Sequence, residues 1–420
     1  LVTKTKCACS ENTTCLPVLI DIVLLIGHEY TVTMQINKAY RYRLKPTPSQ
    51  VSQLESYTGH CRFLWNKCWR MNIDRLKNKQ RIMYYQEMDF FSKLWKKSVE
   101  YNFLKECPAH CLQQKLKDLE RAFLDCFDKR QPGKRLPTKR KKNIHDSIRF
   151  PEPKHIELEH SRIKLPKLGW IKFYNSLKLH GIIRNVTISR QGNHWYISIC
   201  VAQELMIPKE LPTLAIGIDC GIANFVATSK GALIAPINSY RHWMGRLAVL
   251  QRRLAKKVKF SNNWKKFLVK IRKLHCKIAN IRRDFLHKIT TGLSKSHAMV
   301  VVEALRIKNM SKSAKGTLDK PGQNVKAKSG LNKSILDQGW GEFKRQLKYK
   351  LEWAGGVLVE VNPQYTSQKC SQCGHTHANN RTTQQSFCCM ACNYNEHADI
   401  NAAKNILAAG HVAMACGASA

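Results

Sequence analysis

Two cysteine pairs constrain this chain more than any other feature. Cys370-x2-Cys373 is followed, after 15 residues, by Cys389-x2-Cys392. Each pair bends the backbone back on itself so that two thiolates grip one side of a tetrahedron, and two such knuckles close the coordination shell of one zinc ion. A closed shell of four thiolates leaves no open position, so this metal is expected to hold shape and to do no chemistry. Cys388 adjoins the second pair, but only Cys389 keeps the x2 spacing to Cys392, and His375, His377 and His397 are spare imidazoles nearby. The chain has 17 cysteines, yet it is large, basic and without a convincing signal peptide. A reduced, cytoplasmic setting with metal-bound thiolates fits better than a disulfide scaffold.

With 420 residues the chain has room for two or three domains on a prior of about 150 residues each. Its 71 Lys plus Arg stand against 29 Asp plus Glu, a formal net charge of +42. Such an excess repels itself in a compact fold unless polyanions offset it, which points to nucleic acid. No run of about 18 apolar residues exists to span a bilayer, so no membrane partner is expected. The apolar stretch Leu16–Ile26 is short and carries Asp21 in its middle. The first methionine is Met34, and residues 1–33 read as an upstream extension without function.

From Met34, Ile36, Tyr40, Tyr42 and Leu44 alternate with Arg41, Arg43 and Lys45, the two-residue period of a half-buried strand with a basic outer face. Beyond Pro46 and Pro48 the period lengthens to threes and fours (Leu54, Cys61, Leu64, Trp65, Cys68, then Leu112, Leu116, Leu119, Phe123), so residues 49–130 read as helical. Trp65, Trp69 and Trp95 read as core residues ahead of base-stacking ones. The loop 133–142 carries Lys134, Arg135, Lys139, Arg140, Lys141 and Lys142 with no acid, and is either a phosphate-binding loop or a solvated charge run. Alternation on both sides of Gly192-Asn193 signals a hairpin, so the simplest architecture is a sheet lobe with a helical insertion. A second helical stretch, residues 241–290, holds 16 Lys or Arg against one acid, Asp284, and includes Arg252, Arg253, Lys256 and Lys257. It cannot be salt-bridged to itself and is expected to lie on phosphates. Residues 311–330 are rich in Lys, Ser and Gly and read as a flexible loop.

Three acids stand out by position. Asp219 ends the apolar run in "LAIGIDCGIANFVATSKG", Glu303 ends another in "HAMVVVEAL", and Asp399 precedes "INAAKNILAAG", a helix-forming segment ending at Gly410. Taken alone, Asp399 reads as a helix N-cap. Together, two strand ends and a helix start can bring three carboxylates onto hard divalent cations, which require oxygen ligands. Two magnesium ions roughly 4 Å apart, with manganese as a substitute, would activate water and stabilise the leaving oxygen in phosphodiester cleavage.

These residues resemble the TnpB (OrfB-type) proteins of bacterial and archaeal insertion sequences, RNA-guided nucleases related to type V CRISPR effectors. The resemblance spans residues 34–410 and is carried by "KAYRYRLKPTPSQ", "GIDCGIANFVATS", "VVVEALRIKNM", "GWGEFKRQLKYKLEWAGG", "NPQYTSQKCSQCG" and "HADINAAKNIL". Ala304 stands where relatives commonly carry an acid, and Cys220 where they vary; neither removes a proposed ligand.

The resemblance implies an α/β multidomain protein. Its RNase H-like (RuvC-like) nuclease domain would occupy residues 211–369 and 393–420, interrupted by a zinc ribbon at 370–392. An N-terminal β-barrel-like lobe would comprise residues 34–48 and 131–210, with a helical insertion at 49–130. It further implies Asp219, Glu303 and Asp399 as a catalytic, magnesium-binding triad, a guide RNA from the element's end, and double-stranded target DNA beside a short flanking motif. The sequence does not fix the oligomeric state, and a monomer is the favoured expectation. The rival expectations are a nuclease-inactive RNA-guided DNA-binding protein and an unguided strand-transfer transposase.

Overall fold

The computed structural model describes residues 33–142, 146–206 and 214–416, so the upstream extension lies, but for Thr33, outside the described residues. Alternation makes the first strand: β1 (Thr33–Lys45) buries Ile36, Tyr40, Tyr42 and Leu44 and turns its arginines outward. Thr47 then caps α1 (Pro48–Lys77) through a reciprocal box with Gln50, with proline in the first turn where its missing N–H costs nothing. Next come α2 (Tyr85–Lys97) and α3 (Ala109–Phe127).

The chain returns to strands with β2 (Ser147–Phe150), β3 (Glu157–Glu159), β4 (Arg162–Leu165), β5 (Gly169–Phe173), β6 (Ile182–Gln191) and β7 (His194–Met206). Gly192 and Asn193 form the two-residue turn between β6 and β7, with Gln191 paired to His194 and Gly192 at φ +61°. The seven strands make one antiparallel sheet in the order β2-β6-β7-β1-β5-β4-β3. One continuous core joins it to the helices: Leu54, Leu64, Trp65, Leu112, Leu116 and Phe123 pack with Tyr42, Ile148, Ile171, Ile188 and Ile197. Trp65 is buried in that core, and Trp69 and Trp95 pack against it.

The second sheet is built from β8 (Ala215–Asp219), β9 (Val226–Thr228), β10 (Leu233–Ile234), β11 (Met299–Glu303) and β12 (Val357–Val361) in the order β10-β9-β8-β11-β12. Strands β8, β11 and β12 are parallel, whereas β9 is antiparallel to its neighbours. The parallel strands are apolar on both faces because both are covered. Between β10 and β11 lie α4 (Ser239–Ala255) and α5 (Asn262–Ser296); between β11 and β12 lie α6 (Ile307–Met310), α7 (Val325–Gln338) and α8 (Trp340–Trp353). Val300 and Val302 face Phe343, Leu347 and Leu351 of α8. Val301 faces the other way, with Val359 and Val361, onto Ile406 of α9 (Ala398–Ala415). Between β12 and α9 sits a small lobe with β13 (Ser386–Cys388) and β14 (Asn395–His397).

Three sequence expectations are corrected. The basic stretch 241–290 is two packed helices, closed by Leu247, Ile271, Leu274 and Ile278; Ser261 stops continuity by capping α5, its hydroxyl accepting from the Trp264 N–H at 3.2 Å. The expected loop 311–330 is helical from Val325, where Lys-Ala-Lys supplies good helix formers. The last helix continues through Gly410 to Ala415. Gly410 is there for close packing: a Cβ would strike both methyl groups of Val301. At the other end of the contact, a Cβ on Gly217 of β8 would run into the Ala403 carbonyl oxygen and the Leu407 amide.

Gly410→Ala is accordingly expected to lower stability by about 1–3 kcal/mol through overpacking, read as a reduced Tm. The same change at Gly330, where a Cβ meets nothing within 4 Å, should leave Tm unchanged or raise it.

Candidate active site

Asp219 and Glu303 are the last residues of neighbouring parallel strands, β8 and β11, whose register pairs Ile218 with Val302. They therefore leave the same end of the sheet side by side. Asp399 arrives from the first turn of α9, which packs across β8, β9 and β11. It is not the cap of that helix. His397 is, its Nδ1 accepting the Asp399 N–H at 3.2 Å, and this leaves the Asp399 carboxylate free to face the other acids.

The electrostatics register the convergence. Burial, then the charges of Glu303 and Asp399, push the Asp219 carboxyl up to about 7. Burial also raises Glu303, opposed by the Thr366 hydroxyl, which donates to its Oε1 at 2.6 Å. Asp399 is 8% exposed. Its Oδ2 accepts from Asn224 Nδ2 at 3.1 Å and its Oδ1 from the Arg381 guanidinium at 3.3 Å. Cys220, half-buried next to Asp219, has its thiol held neutral by burial and by the adjacent acids.

Three carboxylates brought to one end of the sheet fit divalent cations chemically, since carboxylate oxygens are the donors that hard cations take. Among the described residues the sets of metal-type donors lying within 4.8 Å of one another do not include this trio.

The four cysteines do meet. Cys370, Cys373, Cys389 and Cys392 place all their sulfurs within 4.8 Å of one another, with Cys370 to Cys392 at 3.8 Å and Cys373 to Cys389 at 3.5 Å. Four sulfurs about 2.3 Å from a tetrahedral zinc stand about 3.8 Å apart, so the cluster has zinc dimensions. Cys388 lies in β13 outside it, and His375 and His377 stack on each other at 6.2 Å between ring centres.

Asparagines tie this lobe to the sheet. Asn401 and Asn405 of α9 donate to the Lys369 carbonyl at 2.8 and 2.6 Å, and Asn401 accepts the Ser371 N–H at 2.9 Å. Buried Asn380 bridges the knuckles, donating to the Gln368 and His375 carbonyls and accepting from the Met390 N–H. Arg381 follows it directly, so the small lobe delivers a cation to Asp399.

Arg381, Thr366, Asn224 and the three asparagines are the residues that sequence reasoning missed. Asn224 and Thr366 lie inside quoted motifs, but nothing local marks a polar residue as the partner of an acid tens to hundreds of positions away.

The basic candidates lie elsewhere. Lys134, Arg135, Lys139, Lys141 and Lys142 are exposed, as are Arg252, Arg253, Lys256 and Lys257 at the end of α4 and just beyond. Lys134 pairs with Asp125 at 3.5 Å. Arg140 is half-buried, its guanidinium 3.8 Å from the centre of the Trp65 ring. The loop around it is clasped to α1 by Trp65 and Trp69, whose indole N–H groups donate to the Thr138 and Pro137 carbonyls, and by Asn66 on the Arg140 backbone.

Known proteins share this organisation. A family model described as "Probable transposase" (OrfB of IS605) matches residues 198–314, and a "Cas12f1-like, TNB domain" model matches 340–406. A "Helix-turn-helix domain" model matches 34–81, the span of β1 and α1. The chain is 46% identical over 380 residues to InsQ of Escherichia coli (strain K12), covering 90% of this chain and 94% of that protein. The chain belongs to the TnpB (OrfB) family. InsQ carries the provisional name RNA-guided DNA endonuclease, as does a TnpB relative from Streptomyces pristinaespiralis, 31% identical over 91% of this chain and 92% of its own length. The fold of this TnpB chain also matches that in the "Cryo-EM structure of the Cas12f1-sgRNA-target DNA complex", with TM-score 0.53 and 13% identity over 89% of this chain and 98% of that one.

Two outcomes follow for this TnpB protein. Cys370→Ser with Cys389→Ser should remove about one zinc ion per chain from the purified protein and lower its Tm; unchanged zinc would remove the four-cysteine assignment. Asp219 holds its proton up to about 7 when folded, against about 3.9 when unfolded, so the metal-free fold loses stability as pH rises between those values. In chelator at pH 8, Asp219→Asn should therefore melt higher than the parent, by roughly 2 kcal/mol of stability, and the gap should close by about pH 4.

Proposed function

We propose that this chain is an RNA-guided DNA endonuclease encoded by an insertion sequence, cutting through a RuvC-like, RNase H-type domain with Asp219, Glu303 and Asp399 as its catalytic acids. The observation that carries the proposal is their convergence at one end of β8 and β11, where burial and then the charges of Glu303 and Asp399 push the Asp219 carboxyl up to about 7, in a chain 46% identical to InsQ. The strand order β10-β9-β8-β11-β12, with β9 antiparallel to its neighbours, supports the RNase H-type reading.

The carboxylates of Asp219, Glu303 and Asp399 would hold magnesium, or manganese in its place. Bound there, the cations supply Lewis acidity to the scissile phosphate and to the attacking water. The protein sets the positions. Thr366 orients Glu303, Asn224 and Arg381 orient Asp399, and the fixed ends of β8 and β11 keep Asp219 and Glu303 adjacent. Zinc on Cys370, Cys373, Cys389 and Cys392 would hold residues 370–392 as a ribbon, and with it Arg381. The sheet lobe with its helices would grip the guide RNA and help read the flanking motif on double-stranded target DNA. Exposed Arg252, Arg253, Lys256, Lys257 and the 134–142 loop would meet phosphates, with sequence read by base pairing. Among the described residues no helix is long and apolar enough to cross a membrane. A monomer working in the cytoplasm fits the reading.

The test is expression of residues 34–420 with flanking genomic sequence, followed by sequencing of co-purified RNA and a magnesium-dependent cleavage assay on the DNA that RNA specifies. Both the parent and Asp219→Ala should retain the RNA, and only the parent should cut, with the rate falling at least about 100-fold in the variant. Joined strands in place of cut ends would favour a transposase. RNA-dependent binding by the parent without cleavage would favour a nuclease-inactive binder, and absence of any defined RNA would overturn guidance.

A further inference from the structure

We propose that His110, Glu152 and His155 form a second metal site, for a divalent transition-metal ion of the zinc class, that clasps the helical insertion to the sheet lobe. His110 is the second residue of α3, whereas Glu152 precedes and His155 ends the short 3-10 turn Pro153–His155 that follows β2. Residues three apart eclipse one another on such a turn, so the run Glu-Pro-Lys-His sets a carboxylate and an imidazole side by side. The start of α3 supplies the third donor from across the gap.

The donors already meet. One ligand atom from each lies within 4.8 Å of the others. His110 Nδ1 is 2.8 Å from Glu152 Oε1, and His155 Nε2 is 3.5 Å from Glu152 Oε2. Ligands about 2.0–2.1 Å from a tetrahedral zinc stand about 3.4 Å apart, so small side-chain adjustments complete the shell. Glu152 Oε2 is shielded from solvent and makes no hydrogen bond, which leaves it an acceptor without a donor. A metal ion would satisfy it.

The donor chemistry selects the ion. Two imidazoles and one carboxylate suit zinc and its transition-metal neighbours, and magnesium or calcium poorly. Three protein ligands leave a fourth position, as in zinc sites that accept an exogenous ligand. The three residues themselves line a cavity of about 540 Å³, whose walls include Lys154, Lys164 and Lys167 beside the apolar Phe150 and Leu165. Water or an oxyanion is the ligand such a wall admits. Lys154 Nζ lies 4.0 Å from Glu152 Oε2 but is largely exposed and can turn to solvent, and Lys164 is engaged by Glu157 at 2.9 Å.

The site is separate from the four-cysteine cluster and the carboxylate trio, so its zinc can be counted separately. In full-length Asp219→Ala protein, whose acid site is disabled, equilibration with excess zinc followed by desalting and elemental analysis should give about two zinc ions per chain. Adding His110→Ala and His155→Ala should remove about one of them. It should also abolish the zinc-induced rise in Tm measured against the chelator-treated protein. Glu152→Gln keeps both imidazoles and the side-chain size, and should weaken the second equivalent about tenfold or more. If the double histidine variant melts early in chelator, Glu152→Gln and single His155→Ala on its exposed turn carry the decision. The same zinc content in parent and variants would overturn the proposal.

Discussion

The contact between the last helix and the second sheet is the interaction on which the candidate site depends. Two glycines permit it: Gly217 lets β8 meet the backbone of α9, and Gly410 lets α9 settle on Val301 of β11. A wider separation would carry Asp399 away from Asp219 and Glu303, because the helix brings Asp399 to them by its axis position and not by a long side chain. The small cysteine lobe depends on the same helix. Asn401 and Asn405 fix its first knuckle to α9 by the backbone of residues 369 and 371, so one packing interface sets both the acids and the structure beside them.

The charge distribution follows a related division. The described acids outside the site are largely occupied in ion pairs, such as Arg62 with Asp146, Arg190 with Glu55 and Lys288 with Asp284. Most of the surplus cations stay at the surface, and the paired helices α4 and α5 hold many of them on a scaffold whose own apolar seam is only Leu247, Ile271, Leu274 and Ile278 with its flanking residues. Trp243 in that hairpin lies 4.0 Å from the Lys277 ammonium, so aromatic faces temper some of the repulsion. The three site carboxylates are the acids that crowd one another, whereas most positive charge sits where solvent or a polyanion reaches it.

Features with local causes were legible in the sequence. Alternation gave β1 its buried tyrosines, Gly192-Asn193 gave the hairpin, the x2 spacing separated Cys389 from Cys388, and acids closing apolar runs marked Asp219 and Glu303. What failed depended on tertiary partners. Helical periodicity continues through residues 256–261, so the break before α5 rests on a Ser261 cap that pattern alone does not weigh. Gly410 looked like a helix stop because its reason for being small, Val301, is over a hundred residues away. Asp399 looked like a cap because the true cap, His397, is an uncommon one. Arg381 could not be distinguished from the other basic residues until the cysteine lobe folded it onto Asp399.

The cysteine lobe and the final helix share more than side-chain contacts. Strand β14 ends at His397 and α9 begins at Ala398, with no residue between them. The rotational phase at which α9 starts is thus inherited from the strand before it, and that strand is held by the knuckle containing Cys389 and Cys392. A tetrahedral metal would act here as a clamp on the angular setting of Asp399. Chelation would then strike the reaction twice, once by stripping ions from the carboxylates and once by letting the helix start drift, and replenishing magnesium would repair only the first injury.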